Sequence, residues 1–95
     1  MMESLTMSLG EKRNIAVCVR STCDQAFDID EASFFLKSGE EVEESGTCGI
    51  TYINDTNAIL TALIRPMRKN CNYTLEFHYT IDPEELIYVC RIRVE

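Results

Sequence analysis

Residues 73–94 hold two runs, YTLEFHYTI and LIYVCRIRV, in which apolar and polar side chains alternate on either side of an Asp82-Pro83-Glu84-Glu85 tetrapeptide. Alternation with a period of two belongs to a strand with one buried face, and a one-residue slip would turn that whole face to water. With DPEE as a four-residue hairpin loop and Pro83 pre-setting the turn, Ile81 pairs with Leu86, Tyr79 with Tyr88, Phe77 with Cys90, Leu75 with Ile92, and Tyr73 with Val94. All of these side chains are apolar or aromatic, and all share one face. The other face sets Glu76 against Arg91 and Thr74 against Arg93, so hydrophobic pattern and charge agree on one register. Such a hairpin demands a second layer to cover it.

The rest of the chain supplies that layer in short alternating pieces. NIAVCVR places Ile15, Val17 and Val19 on one face. FDIDEASFFLK starts with Phe27 and Ile29 in phase and continues with Ala32, Phe34 and Leu36 in the opposite parity. That change predicts a bulge or break near Asp30-Glu31. A short helix capped by Asp30 is the competing reading, and the Phe34-Phe35 pair favours a sheet. SGEEVEESG reads as a turn and a charged edge strand, where charge discourages sheet-to-sheet association; its glutamates lack the spacing of a calcium loop. TCGITYI directs Cys48, Ile50 and Tyr52 inward, NDTN is a turn, and AILTALIRP is a strand ending before Pro66 with Leu60, Ala62 and Ile64 inward. About seven strands with no convincing helix predict an all-β antiparallel sandwich. With 95 residues there is room for one core, so residues 14–95 read as a single domain and residues 1–13 as a flexible leader.

Charge limits the partners. Sixteen acidic residues against nine basic ones give a net charge of −7, which argues against nucleic acid or an anionic membrane surface, since both need clustered Lys and Arg. Only Arg65, Arg68 and Lys69 bunch together. No basic-then-apolar leader and no run of roughly 18 apolar residues is present, so the expected location is the cytoplasm. Five cysteines (Cys18, Cys23, Cys48, Cys71, Cys90) are an odd number without CxxC spacing; they read as free, mostly buried thiols rather than a disulfide framework or a metal site.

IRPMRKNCNYTLEFHYTI resembles the E–F corner of immunoglobulin-like and fibronectin-III-like domains, in which a Pro-containing turn leads through Asp/Asn-x-Gly-x-Tyr into an alternating strand. Asn70-Cys71-Asn72-Tyr73 fits, with Cys71 standing where Gly is usual. The resemblance implies an immunoglobulin-like antiparallel β-sandwich, with Pro66 in the corner turn and the Tyr73 hydroxyl bonded back to the loop. The chain has no Trp, so the antibody-type Cys–Trp–Cys signature is missing. The GEKRNIAVCVR opening, GEEVEESGTC middle and ALIRP…YTLEFHYTI close also resemble short proteins encoded in phages and prophages among head and tail genes. That likeness implies a structural or accessory part of a virion.

The residues do not assemble a catalytic set. His78 is the sole histidine, so any Ser–His or Cys–His pair must use it. On the hairpin register it projects outward beside Glu76 and Thr80, opposite Val89, while Cys90 points inward. No Gly-rich phosphate loop exists. The expectation is a chain that is not an enzyme and needs no cofactor or metal. Ile87 and Val89 break the polar pattern of the outward face next to His78. These three residues mark a contact with a protein partner or a second subunit, unless the first strand or the leader covers them. The expected function is therefore a non-catalytic structural or protein-interaction module. The alternative is a carbohydrate-type ligand-binding sandwich, for which Tyr52, Tyr88 and Phe35 are the candidate aromatics.

Overall fold

The computed structural model describes residues 3–20, 26–81 and 84–95. It contains eight strands: β1 (Glu3–Met7), β2 (Arg13–Arg20), β3 (Glu31–Ser38), β4 (Glu41–Thr47), β5 (Gly49–Asn54), β6 (Asn57–Ile64), β7 (Cys71–Ile81) and β8 (Glu84–Val94). They form a five-stranded sheet in the order β1-β8-β7-β3-β4 and a three-stranded sheet in the order β2-β6-β5. The two sheets pack as an all-β sandwich. Every pairing is antiparallel except β1 with β8.

The core follows the alternation. Ile15, Val17 and Val19 of β2 and Ala58, Leu60, Ala62 and Ile64 of β6 line one side. Ala32, Phe34 and Leu36 of β3, Tyr73, Leu75 and Phe77 of β7, and Cys90, Ile92 and Val94 of β8 line the other. The parity change at Asp30-Glu31 is real: residues 26–30 are not strand, Ile29 is buried, and β3 begins at Glu31. This excludes the helical reading of DEASFFLK. Segment 26–30 instead ties one end of the sandwich together. Asp30 donates its N–H to the Thr80 carbonyl at 2.9 Å, and Phe27 donates to the Asp55 carbonyl at 3.2 Å.

Three expectations change. The first concerns the leader: Glu3–Met7 form β1, parallel to β8, with Leu5 beside Ile92 and Met7 beside Val94. Met7 is only 2% exposed, so its burial and the free edge of β8 recruit this segment into the sheet. The second concerns the hairpin, which closes on two residues rather than four, because Ile81 pairs with Glu84. The closer pairing adds two rungs to the ladder. The shift is even, so every side chain keeps its face. The partners change, however: Phe77 lies opposite Tyr88, Glu76 opposite Val89, Thr74 opposite Arg91 and His78 opposite Ile87. Pro83, expected to set the turn, lies outside the described residues, as does Cys23.

The third change is at Tyr52, which keeps its inward parity opposite the buried Ala58 but is 47% exposed. The chain crosses from one sheet to the other at Cys48, between β4 and β5; its N–H still bonds the Ala32 carbonyl at 3.0 Å. The next residue is glycine, and a Cβ there would lie 2.5 Å from the Thr61 hydroxyl and force it to turn away. Further along β5, Ile53 is an extra residue between the Tyr52–Ala58 and Asn54–Asn57 pairs. That bulge ends the regular inward alternation.

Candidate functional site

The outer face of the five-stranded sheet gathers the residues marked from sequence as an interface. Each rung runs across three strands. Ile87 of β8 lies beside His78 of β7 and Ser33 of β3; Val89 lies beside Glu76 and Phe35; Arg91 lies beside Thr74 and Lys37. Ile87 is 60% exposed, and Val89 is half-buried. The half-buried His78 ring meets Phe35 edge-on, with centroids 4.9 Å apart and planes at 75°. Its Nε2 lies 2.8 Å from Glu76 Oε1, and Lys37 Nζ lies 3.2 Å from the same carboxylate oxygen. The histidine bond and the lysine hold the Glu76 carboxyl below its ordinary pKa of 4.5. The cation beside Glu76 is thus Lys37, from the neighbouring strand, and not Arg91.

Charge is graded along this face. Glu31 and Glu85 stand at the hairpin tip, the apolar and aromatic side chains occupy the middle, and Lys37, Arg91 and Arg93 stand toward the other end. A depression of about 410 Å³ opens at the tip, lined among others by Glu31, Ser33, His78, Thr80, Glu85 and Ile87. His78 has a carboxylate on one side and an aromatic ring on the other. The hydrogen-bond partner of its Nε2 is a carboxylate, not the hydroxyl or thiol that a nucleophile would supply.

Tyr73 and Pro66 lie at the opposite end from the tip. The Tyr73 hydroxyl accepts the Arg68 N–H at 3.0 Å, five residues back, and donates to Glu43 Oε1 at 3.0 Å. Tyr73 is 1% exposed, and burial together with the Glu43 contact pushes its pKa up to about 12. Asn70, rather than Cys71, takes the left-handed conformation there, with φ of 55°. Asn tolerates that region better than most side chains, so the corner does without the usual Gly. Pro66 is fully buried.

Sequence reasoning missed the role of the EEVEE segment. Glu43 is an extra residue in β4, between the Leu36–Glu44 and Lys37–Val42 pairs, and this bulge re-aims the glutamates toward the 65–68 loop. Glu44 accepts the Arg65 N–H at 3.0 Å, Glu43 accepts the Met67 N–H at 3.3 Å, and Glu41 and Glu43 both hold the Arg68 guanidinium. Of the basic cluster Arg65, Arg68 and Lys69, the Arg68 guanidinium and the Arg65 N–H are therefore engaged by carboxylates of this same chain.

The candidate aromatics for a sugar platform do not converge. Phe35 faces outward under His78, whereas Tyr52 and Tyr88 have inward parity, and the Tyr52 hydroxyl accepts the Ile29 N–H at 3.0 Å. Of the described cysteines, Cys48 and Cys90 are buried, Cys71 is half-buried with its sulfur 3.3 Å from the Ser38 hydroxyl, and Cys18 is exposed. Burial raises the Cys48 thiol pKa to about 11. No group of three or more His, Cys, Asp or Glu among the described residues is placed to share a metal ion. No helix of the described residues is long and apolar enough to cross a membrane.

No protein-family model matches this sequence, and no curated protein does. Among solved structures the chain is similar to the crystal structure of an engineered protein, target OR128 of the Northeast Structural Genomics Consortium, with a TM-score of 0.70 at 14% identity. The match covers 98% of this chain but only 18% of that one. The likeness gives the fold.

Proposed function

We propose that this chain is a non-catalytic structural or protein-interaction module of immunoglobulin-like type, serving as a virion or accessory protein of a phage or prophage. Strand order supports the type. β2-β6-β5 follow the B-E-D order of an immunoglobulin-like sandwich, and β3, β7 and β8 occupy the C, F and G positions. A tyrosine bonded back to its own loop, near the start of the F-position strand, agrees with that assignment. The observation that carries the interaction role is Ile87, a large aliphatic side chain 60% exposed on a sheet face where the neighbouring Phe35, His78, Glu76 and Lys37 engage one another. A fitting partner is a protein surface with an apolar centre, basic groups opposite Glu31 and Glu85, and acidic groups opposite Arg91 and Arg93.

The test is quantitative proteomics of phage particles induced from the organism that encodes the chain, comparing wild type with Ile87→Lys. Recovery of the wild-type chain in particles, with loss of the variant at unchanged thermal stability, is the expected result. Absence of the wild-type chain from particles and from every complex isolated with head or tail proteins would remove the assignment.

A further inference from the structure

The described residues leave sheet edges on β1, β4, β2 and β5, and exposed edges invite pairing unless they are guarded. β1 is only five residues long. β4 carries Glu41, Glu43 and Glu44 and a bulge. β5 is bulged at Ile53. β2 has none of these guards: it pairs with β6 over eight consecutive residues without a register break, it contains no proline, and Asn14–Val19 carry no charge. Its inward residues, Ile15, Val17 and Val19, are all aliphatic and buried, and its outward residues, Asn14, Ala16 and Cys18, are small and exposed.

The sheet behind this edge is equally unusual. Its outer face presents Asn14, Ala16 and Cys18 of β2, Asn57, Ile59, Thr61 and Leu63 of β6, and Gly49 and Thr51 of β5. The one charge these strands add to that face is Arg20, opposite Asn57 at the end of β2, and they add no carboxylate, in a chain whose net charge is −7. A second copy can approach this sheet without bringing carboxylates together, whereas β4 would set glutamates against glutamates.

We propose that the β2 edge pairs antiparallel with β2 of a second copy about a two-fold axis at Val17, joining two three-stranded sheets into one of six strands. Register follows from parity. A continuous sandwich keeps the odd-numbered residues of both copies on the core side, so odd must lie opposite odd. That excludes the register that would overlap all eight residues and set Arg13 against Arg20. Centring on Val17 places Ile15 opposite Val19, Ala16 opposite Cys18 and Asn14 opposite Arg20, with no like charges facing. The partner is a second copy of this chain, and the surface is separate from the hairpin face that carries the proposed function.

Sedimentation analysis under reducing conditions tests the proposal with four proteins. Wild type is expected to be a dimer at elevated concentration. Ala16→Lys/Cys18→Lys sets lysine against lysine on both sides of the axis and is expected to weaken dimerisation roughly tenfold or more. Ala16→Glu/Cys18→Lys sets opposite charges across the same two positions and is expected to dimerise at least as well as wild type. Ile87→Lys is expected to leave the dimer intact. A monomeric wild type, a monomeric charge-complementary variant that is folded by circular dichroism, or a dimer dissolved by Ile87→Lys would each overturn the proposal. Should the double-lysine variant fail to fold, the other three proteins still decide.

Discussion

The two ends of the sandwich are each closed by a tyrosine hydroxyl that accepts a backbone N–H at 3.0 Å: Tyr73 from Arg68 at one end, Tyr52 from Ile29 at the other. The closures differ in what surrounds them. Tyr73 is 1% exposed and also donates to Glu43, which itself binds the Met67 N–H and the Arg68 side chain. Tyr52 is 47% exposed, and its end of the molecule is otherwise tied by the backbone bonds of segment 26–30. Identical bonds therefore carry different weight. Where water cannot reach, a lost partner leaves a polar group unsatisfied; where it can, solvent replaces most of what was lost.

The largest effect is expected from Tyr73→Ala, which empties a core position as well as the corner and should cost about 3–5 kcal/mol in urea denaturation. Tyr73→Phe isolates the hydroxyl and should cost about 1–3 kcal/mol, with faster amide exchange at Arg68. The same phenol sets an alkaline limit. Its pKa rises from 10 in the unfolded chain to about 12 in the fold, so its contribution is complete below pH 10 and is lost as pH climbs through 12. Stability curves of wild type and Tyr73→Phe should converge over that interval; parallel curves would mean that Tyr73 ionises without resistance. Tyr79, raised by burial alone, adds a slope common to both proteins.

Glu43→Gln comes next. It keeps the shape of the side chain and removes the charge that faces Arg68 and receives the Tyr73 proton. The expected loss is about 1 kcal/mol, and a double-mutant cycle with Tyr73→Phe should show coupling of about 0.5 kcal/mol or more because the two groups touch. Strict additivity would mean that the bulge at Glu43 aims the carboxylate for some other purpose.

The contrast between the ends also explains what the sequence could disclose. The Tyr73 corner was legible because its parts lie within eight residues, from Pro66 to Tyr73, and local spacing encodes local contacts. Hairpin faces were legible for the same reason, since parity survives the two-residue error in register. Glu43 was not legible: its role depends on a bulge in one strand and on a loop more than twenty residues away. Tyr52 has the face that alternation assigns it, opposite Ala58, but its exposure was not legible, because it depends on β5 lying at the edge of its sheet. β1 escaped notice because five residues cannot display a period convincingly, and its partner strand lies at the far end of the chain. The outer-face residues Ile87, Val89 and His78 were correctly grouped by parity, but the Lys37 and Phe35 that complete their surroundings come from β3.

Tyr52→Phe is the smallest of these changes and the sharpest test of the comparison. Tyr52 as a residue is half exposed, and its donor belongs to a short non-strand segment held by two further backbone bonds, from Phe27 and Asp30. Water can take the place of the oxygen, so global stability should fall by no more than about 0.5–1 kcal/mol. The local consequence should be larger than the global one. Amide exchange at Ile29 should accelerate, while the Asp30 amide, bonded to the Thr80 carbonyl of β7, should keep its protection. If Tyr52→Phe instead cost as much as Tyr73→Phe, segment 26–30 would have to be a cooperative part of the core rather than a strap across its end.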